Sequence, residues 1–157
     1  MKIEPLNPSG KQSTSSDNSI TIVLPFYFDE VFRENFKTLG FNVIWAPTLH
    51  ELASLILSVP EIDLALEWQR GPRGFPVRNL LRGLQLNIPI FLMLNWNGEK
   101  PQDFNELGYA DVISVPYQIK EMTEKFYNVL PPSKRETFKN LPIVEIAKAS
   151  VQEAINT

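Results

Sequence analysis

Residues 62–94 read IDLALEWQRGPRGFPVRNLLRGLQLNIPIFLML. Apolar runs of strand length at 62–68 and 88–94 bracket a segment in which Val77, Leu80, Leu81 and Leu84 recur at helical spacing. Separations of three and four residues place those four side chains on one helical face. Pro76 stands where a first helical turn accepts proline, because its fixed φ suits that turn and the N–H it lacks has no intrahelical partner there. The loop 69–75 before it holds Gly71, Pro72 and Gly74. The run 88–94 is the most apolar in the chain, which predicts a strand near the sheet centre with both faces covered. Strand, helix and strand in that order make a parallel crossover unit, and this unit decides the fold class.

The alternation continues outward on both sides. Toward the N-terminus, ITIVL at 20–24 is a β-branched strand ended by Pro25, and 29–39 is a helix with Val31, Phe32, Phe36 and Leu39 on one face. Gly40 supplies its stop. FNVIW at 41–45 is a second strand. Thr48 and Glu51 form a capping box for a helix that buries Leu49, Leu52, Ala53 and Ile56. Pro60 closes it. Toward the C-terminus, a polar loop at 95–101 leads to a short helix near 103–107, ended by Gly108. DVISV at 111–115 is a fifth strand, and 119–130 is a helix. Five β-α repeats predict an α/β, doubly wound five-stranded parallel sheet of flavodoxin-like order 2-1-3-4-5.

The organised region is 20–130. Residues 1–19, with Pro5, Pro8, Gly10 and a Ser/Thr/Asn-rich run, read as a disordered leader. Beyond Pro131 and Pro132, two helical pieces near 134–140 and 144–156 form a C-terminal helical extension over 131–157.

With 157 residues, 43% hydrophobic and 21% charged, the chain has the length and composition of one globular domain. The absence of cysteine excludes a disulfide framework, a zinc ribbon, an iron–sulfur cluster and a thiol nucleophile. A single histidine, His50, excludes multi-histidine metal sites, and in the first turn of a helix it reads as a surface residue. No apolar run approaches the roughly 18–20 residues of a membrane span, and the N-terminus is polar, so the expected location is the cytoplasm. Net charge is −3, unevenly spread. Between Trp68 and Asn97 stand Arg70, Arg73, Arg78 and Arg82 with no acid, which leaves eleven basic against eighteen acidic residues elsewhere, or −7. This distribution argues against nucleic-acid binding over the whole surface and leaves room for a local anion site.

Three passages carry a family resemblance: PEIDLALEW at 60–68, IPI at 88–90 and GYADVISVP at 108–116. Over 20–130 the chain resembles the receiver domain of response regulators, the CheY-like fold. That resemblance implies two magnesium-holding acids after the first strand, a phosphoacceptor aspartate ending the third, a Ser or Thr ending the fourth and a lysine before the proline after the fifth. It places Leu24 and Pro25, Glu67, Asn95 and Val115 at those positions. Magnesium needs oxygen ligands, and phosphoryl transfer depends on positioning and charge neutralisation. The pattern therefore implies a pseudo-receiver: non-enzymatic, without metal or cofactor, independent of phosphorylation, and acting in regulation or assembly through a protein partner or a homodimer.

A narrower likeness rests on FNVIW at 41–45, LEW at 66–68, IPIFL at 88–92 and LPP at 130–132 before a basic helix. These are similar to the N-terminal wing domain of ornithine/lysine/arginine decarboxylases, and imply a regulatory or assembly fragment, since no pyridoxal-phosphate site is present.

Among individual residues, Glu67 reads as a rim carboxylate paired with a nearby arginine, or as a constitutive charge. Arg70, Arg73 and Arg78 beside a helix N-terminus are candidates for binding a small anion, such as a guanine nucleotide. Gly71 and Gly74 are too close and lack the Gly-Lys-Ser/Thr of a P-loop. Asp29 and Glu30 suit a helix N-terminus rather than a metal. Trp45 and Trp68 read as core filling. Trp96, Phe126 and Tyr127 are candidate interaction residues, because Met122, Phe126, Tyr127 and Val129 exceed what one buried stripe needs. The tail adds Phe138, Leu141, Ile143, Val144, Ile146, Ala147 and Val151, an amphipathic pattern that folds back on its own domain or meets a second chain.

Overall fold

In the computed structural model, residues 19–69, 74–95 and 97–156 are described, with side chains to residue 150. Strands β1 (Thr21–Val23), β2 (Asn42–Ile44), β3 (Leu64–Trp68), β4 (Ile90–Asn95) and β5 (Asp111–Val115) form one sheet in the order β2-β1-β3-β4-β5. Every pairing is parallel, with Val23 beside both Ile44 and Ala65, Glu67 beside Leu92, and Asn95 beside Val115. The five-stranded, doubly wound fold is the one the sequence predicts.

Strand alternation divides the interior in two. Ile22, Leu24, Leu64, Leu66, Phe91 and Met93 face one core, while Val23, Ala65, Leu92 and Leu94 face the other. Helices α1 (Glu30–Thr38) and α5 (Ile119–Val129) cover the first. Helices α2 (Leu49–Ser58), α3 (Pro76–Gly83) and α4 (Phe104–Leu107) cover the second. The helix starts follow local chemistry. Asp29 accepts the Phe32 N–H at 3.0 Å. Thr48 accepts the Glu51 N–H at 3.1 Å and donates its hydroxyl to the Glu51 carboxylate at 2.9 Å, which is a variant of the expected capping box. Gly40 and Gly108 adopt φ values of 104° and 81°, the left-handed turn that glycine enters without steric cost. Strands β1 to β4 begin one or two residues later than the apolar runs suggest, because Ile20 and Phe41 are buried but lie outside the ladder.

The C-terminal extension comprises α6 (Pro132–Lys139) and α7 (Pro142–Asn156), each opening on a proline. Phe138, Leu141 and Ile143 join Phe126 in the first core, so this segment is folded back onto its own domain. The Ile143 N–H donates to the Leu39 carbonyl at 3.0 Å. A side chain at Gly40 would collide with the Pro142 ring, so the stop after α1 is also the seat of α7. Phe126 is fully buried, edge-on to Phe91 and Phe41, and Tyr127 is half-buried against Phe138. Phe126 is therefore not a surface contact residue: the second apolar stripe of α5 is covered by the chain's own tail.

At the amino end of the strands, Lys134 is buried, with its Nζ 3.0 Å from the Ser19 carbonyl, 3.2 Å from Glu61 and 3.6 Å from Asp63. Asp63 accepts the Thr21 N–H at 2.8 Å. Burial raises the Asp63 carboxyl above its ordinary range, while the Thr21 N–H and Lys134 oppose the shift. This cluster pins α6 to the segments that lead into β1 and β3. Among the described residues, no helix is long and apolar enough to cross a membrane.

Candidate functional site: the carboxyl edge of the sheet

Open α/β sheets place ligands beyond the carboxyl ends of their strands. Here β1 runs into Leu24 and Pro25, both buried. The chain then turns through Phe26, Tyr27 and Phe28 before Asp29 caps α1. Phe28 and Phe32 pack edge-on against Trp68, the last residue of β3, with ring centroids 5.9 and 5.0 Å apart. Carbon thus fills the space above β1 and β3 on the α1 side. Trp45, also half-buried, lies under the Arg33 guanidinium at 3.7 Å, so it both fills the core and stacks on a cation.

Strand alternation sends Glu67, next to Trp68, to the opposite face, toward α3. Its side chain has no solvent exposure. Oε1 accepts the Arg78 N–H at 2.9 Å, and Oε2 accepts the Tyr27 hydroxyl at 2.9 Å and the Val77 N–H at 3.3 Å. These backbone donors belong to the first turn of α3, whose N-cap residue Phe75, at φ 52°, makes no side-chain cap of its own. Glu67 therefore caps α3 from a neighbouring strand, where the helix dipole favours negative charge. Burial still raises its carboxyl above the usual range, against the pull of the Arg78, Tyr27 and Val77 donors. The Tyr27 hydroxyl is raised in turn by burial and by the Glu67 charge. The same two causes raise the hydroxyl of Tyr109, which is buried on this side of the sheet.

The expectation of a rim carboxylate paired with an arginine is corrected by this geometry. Arg78 gives Glu67 its backbone N–H, while its guanidinium turns away, Nε to the Leu107 carbonyl at 2.6 Å and Nη1 to the Asn79 side chain at 2.7 Å. Arg78 links α3 to the end of α4. The other two candidate anion ligands, Arg70 and Arg73, and the candidate contact residue Trp96 lie outside the described residues. Asn95 and Val115, half-buried, are paired side by side at the ends of β4 and β5, and the bond from Val115 to Pro116 is cis. His50 is exposed. Among the described residues, no group of three or more His, Asp or Glu side chains is placed to hold a metal ion.

The sequence reading overlooked Tyr27, whose signal was a single phenol inside an aromatic run. It also overlooked the Asp63–Lys134 pair. Asp63 was legible as a lone charge in an apolar stretch, but Lys134 gave no signal among other exposed-looking basic residues.

No family model matches the chain, and no curated protein matches it in sequence. Solved structures do match in shape. The N-terminal domain of FixJ aligns with a TM-score of 0.56 at 17% identity, covering 71% of this chain and 93% of its own. The N-terminal domain of the nisin resistance regulator NsrR, a lantibiotic response regulator, gives 0.55 at 20% identity, over 72% of this chain and 98% of its own. The chemotaxis protein CheY4 of Vibrio cholerae gives 0.54 at 14% identity, over 71% and 98%. The likeness to decarboxylase wing domains draws no support from these structures. Topology, strand order and alignment over nearly the full length of each of these domains agree: the chain has the receiver-like, CheY-type fold of the response regulators.

Proposed function

We propose that this chain is a pseudo-receiver: a non-enzymatic domain that works in regulation or assembly through protein contacts, independently of phosphorylation. The filled carboxyl edge carries the reading. Where the receiver pattern calls for a pair of metal-holding acids, the chain has Leu24 and Pro25, both buried. The only carboxylate ending β3 has its oxygens committed to Tyr27, Val77 and Arg78. Asn95 and Val115 bring neither the hydroxyl nor the ammonium that would steady a transferring phosphoryl group. Among the described residues, no side chain at this edge replaces the acids, hydroxyl and ammonium of the receiver pattern, which supports a role carried by the domain's surface.

The test is incubation with acetyl phosphate and magnesium, followed by intact-mass measurement. An unchanged mass is expected. A phosphoryl adduct mapped to Glu67 or to any residue of this edge overturns the reading.

A further inference from the structure

A cleft of about 380 Å³ lies between α3 and the α4–β5 turn, reaching the residues that lead into β4. Arg78, Arg82, Gln85 and Asn87 supply its polar lining, and Leu86 and Ile88 its apolar lining. Among the described residues that line it, none is acidic and none is aromatic. Seven of the nine described lining residues belong to the acid-free stretch between Trp68 and Asn97, and two of those seven are arginines, on a chain of net charge −3.

The two arginines differ in what they already hold. Arg78 is half-buried and engaged with Leu107 and Asn79. Arg82 is exposed, with Nη1 near the Cα side of Gly108, and makes no ion pair or hydrogen bond among the described residues. Its five donors are therefore available beside an apolar lining. The volume is at the low end of ligand-sized clefts, roughly 300–1,000 Å³, and suits a few side chains. A nucleobase would find no aromatic platform. A carboxylate would find guanidinium and amide donors, and an adjacent aliphatic group would find Leu86 and Ile88.

We propose that the cleft between α3 and α4 is a docking site for a partner protein segment presenting a carboxylate beside an aliphatic side chain. The proposal rests on the reading of this chain as an interaction domain and names the chemistry of one partner. Charge complementarity carries it: arginine is favoured at interface hot spots, and opposite charge at a cleft steers encounter and fixes register.

The test is an NMR titration of the ¹⁵N-labelled full chain with a synthetic octapeptide of alternating Leu and Glu, and in parallel with its Leu/Gln counterpart and with acetate. Expected are shifts confined to Gln85, Leu86, Asn87, Leu107 and Gly108, at least tenfold weaker binding of the Leu/Gln peptide, and at least tenfold weaker binding of the acidic peptide to Arg82→Gln. Arg82 is exposed, so the variant folds. Absence of shifts, shifts elsewhere, or equal affinity for both peptides overturns the proposal. Acetate binding as tightly as the peptide also overturns it, leaving a small-anion site. Each of these results leaves the acetyl phosphate outcome untouched, whereas a phosphoryl adduct removes the pseudo-receiver reading whatever the peptide does.

Discussion

Glu67 and Arg78 are joined through the backbone rather than by charge: the Arg78 N–H donates to Glu67 Oε1 at 2.9 Å, while the guanidinium of the same residue reaches the Leu107 carbonyl. A strand-end carboxylate thus finishes one helix, and the residue it holds fastens a second. The carboxyl end of β3 is thereby joined to α3, and α3 to α4.

Replacing Glu67 tests that joint. In Glu67→Ala, the N–H groups of Val77 and Arg78 lose their acceptor inside the fold. The expected loss is about 3 kcal/mol, since an unsatisfied buried donor costs roughly 1–3 kcal/mol. Glu67→Gln keeps an oxygen for Arg78 and can donate to the Tyr27 hydroxyl, which retains the Trp68 carbonyl at 3.3 Å as its own acceptor. Its expected loss is about 1 kcal/mol. Urea unfolding of the three proteins checks the order, and an Ala variant as stable as the Gln variant would refute the capping role.

Stability should also depend on pH with a definite sign. Burial raises both Glu67 and Asp63, so the folded chain binds these protons more tightly than the unfolded chain does. Their contribution is fully present below the ordinary carboxylate values of about 4, and is lost as pH rises from there through the raised folded values. The double variant Glu67→Gln, Asp63→Asn should show a flatter decline over that window. Parallel stability–pH curves for the two proteins would show that neither group is raised.

The lysine at the foot of the sheet gives a sharper loss. Lys134→Met leaves Asp63 buried without its ammonium partner, which costs about 3–5 kcal/mol for a broken buried pair. Adding Asp63→Asn removes the orphaned charge and keeps an acceptor for the Thr21 N–H, so most of the loss should return. Denaturant midpoints of the single and double variants measure the coupling. Additive losses would mean that the pair does not interact.

Two glycines make a contrast. Gly40→Ala forces a side chain into a left-handed turn and against Pro142, and should cost more than about 2 kcal/mol. Gly83→Ala meets nothing within 4 Å at the end of α3 and should be neutral or stabilising by up to about 1 kcal/mol. Thermal melts of the two variants should move in different directions or by clearly different amounts. Equal shifts would place α7 elsewhere.

Truncation at Pro131 removes Phe138, Leu141 and Ile143 from the core. At roughly 1.5–3 kcal/mol per buried large side chain, the loss is comparable to the whole stability of a typical domain. The shortened chain should lose its cooperative thermal transition. A sharp, near-native melt would mean that the extension is an independent arm.

The sequence by itself determined the five strands and the local starts and stops of α1 and α2, because these follow from hydrophobic period, from proline and glycine, and from side chains within four residues. Asp29, Thr48, Gly40, Gly108 and Pro76 each act on their own neighbours, so their roles are readable in one dimension. Only the tertiary structure decided that Phe126 lies under the tail rather than on the surface, and that Lys134 meets Asp63. It alone turned Glu67 toward the α3 backbone, while Trp68 went to the other face. Those outcomes depend on which apolar stripe finds which face and on which distant donor fills a buried carboxylate. Hydrophobic burial is non-directional, and a hydrogen bond between residues ten, forty or seventy positions apart leaves no periodic trace in the chain.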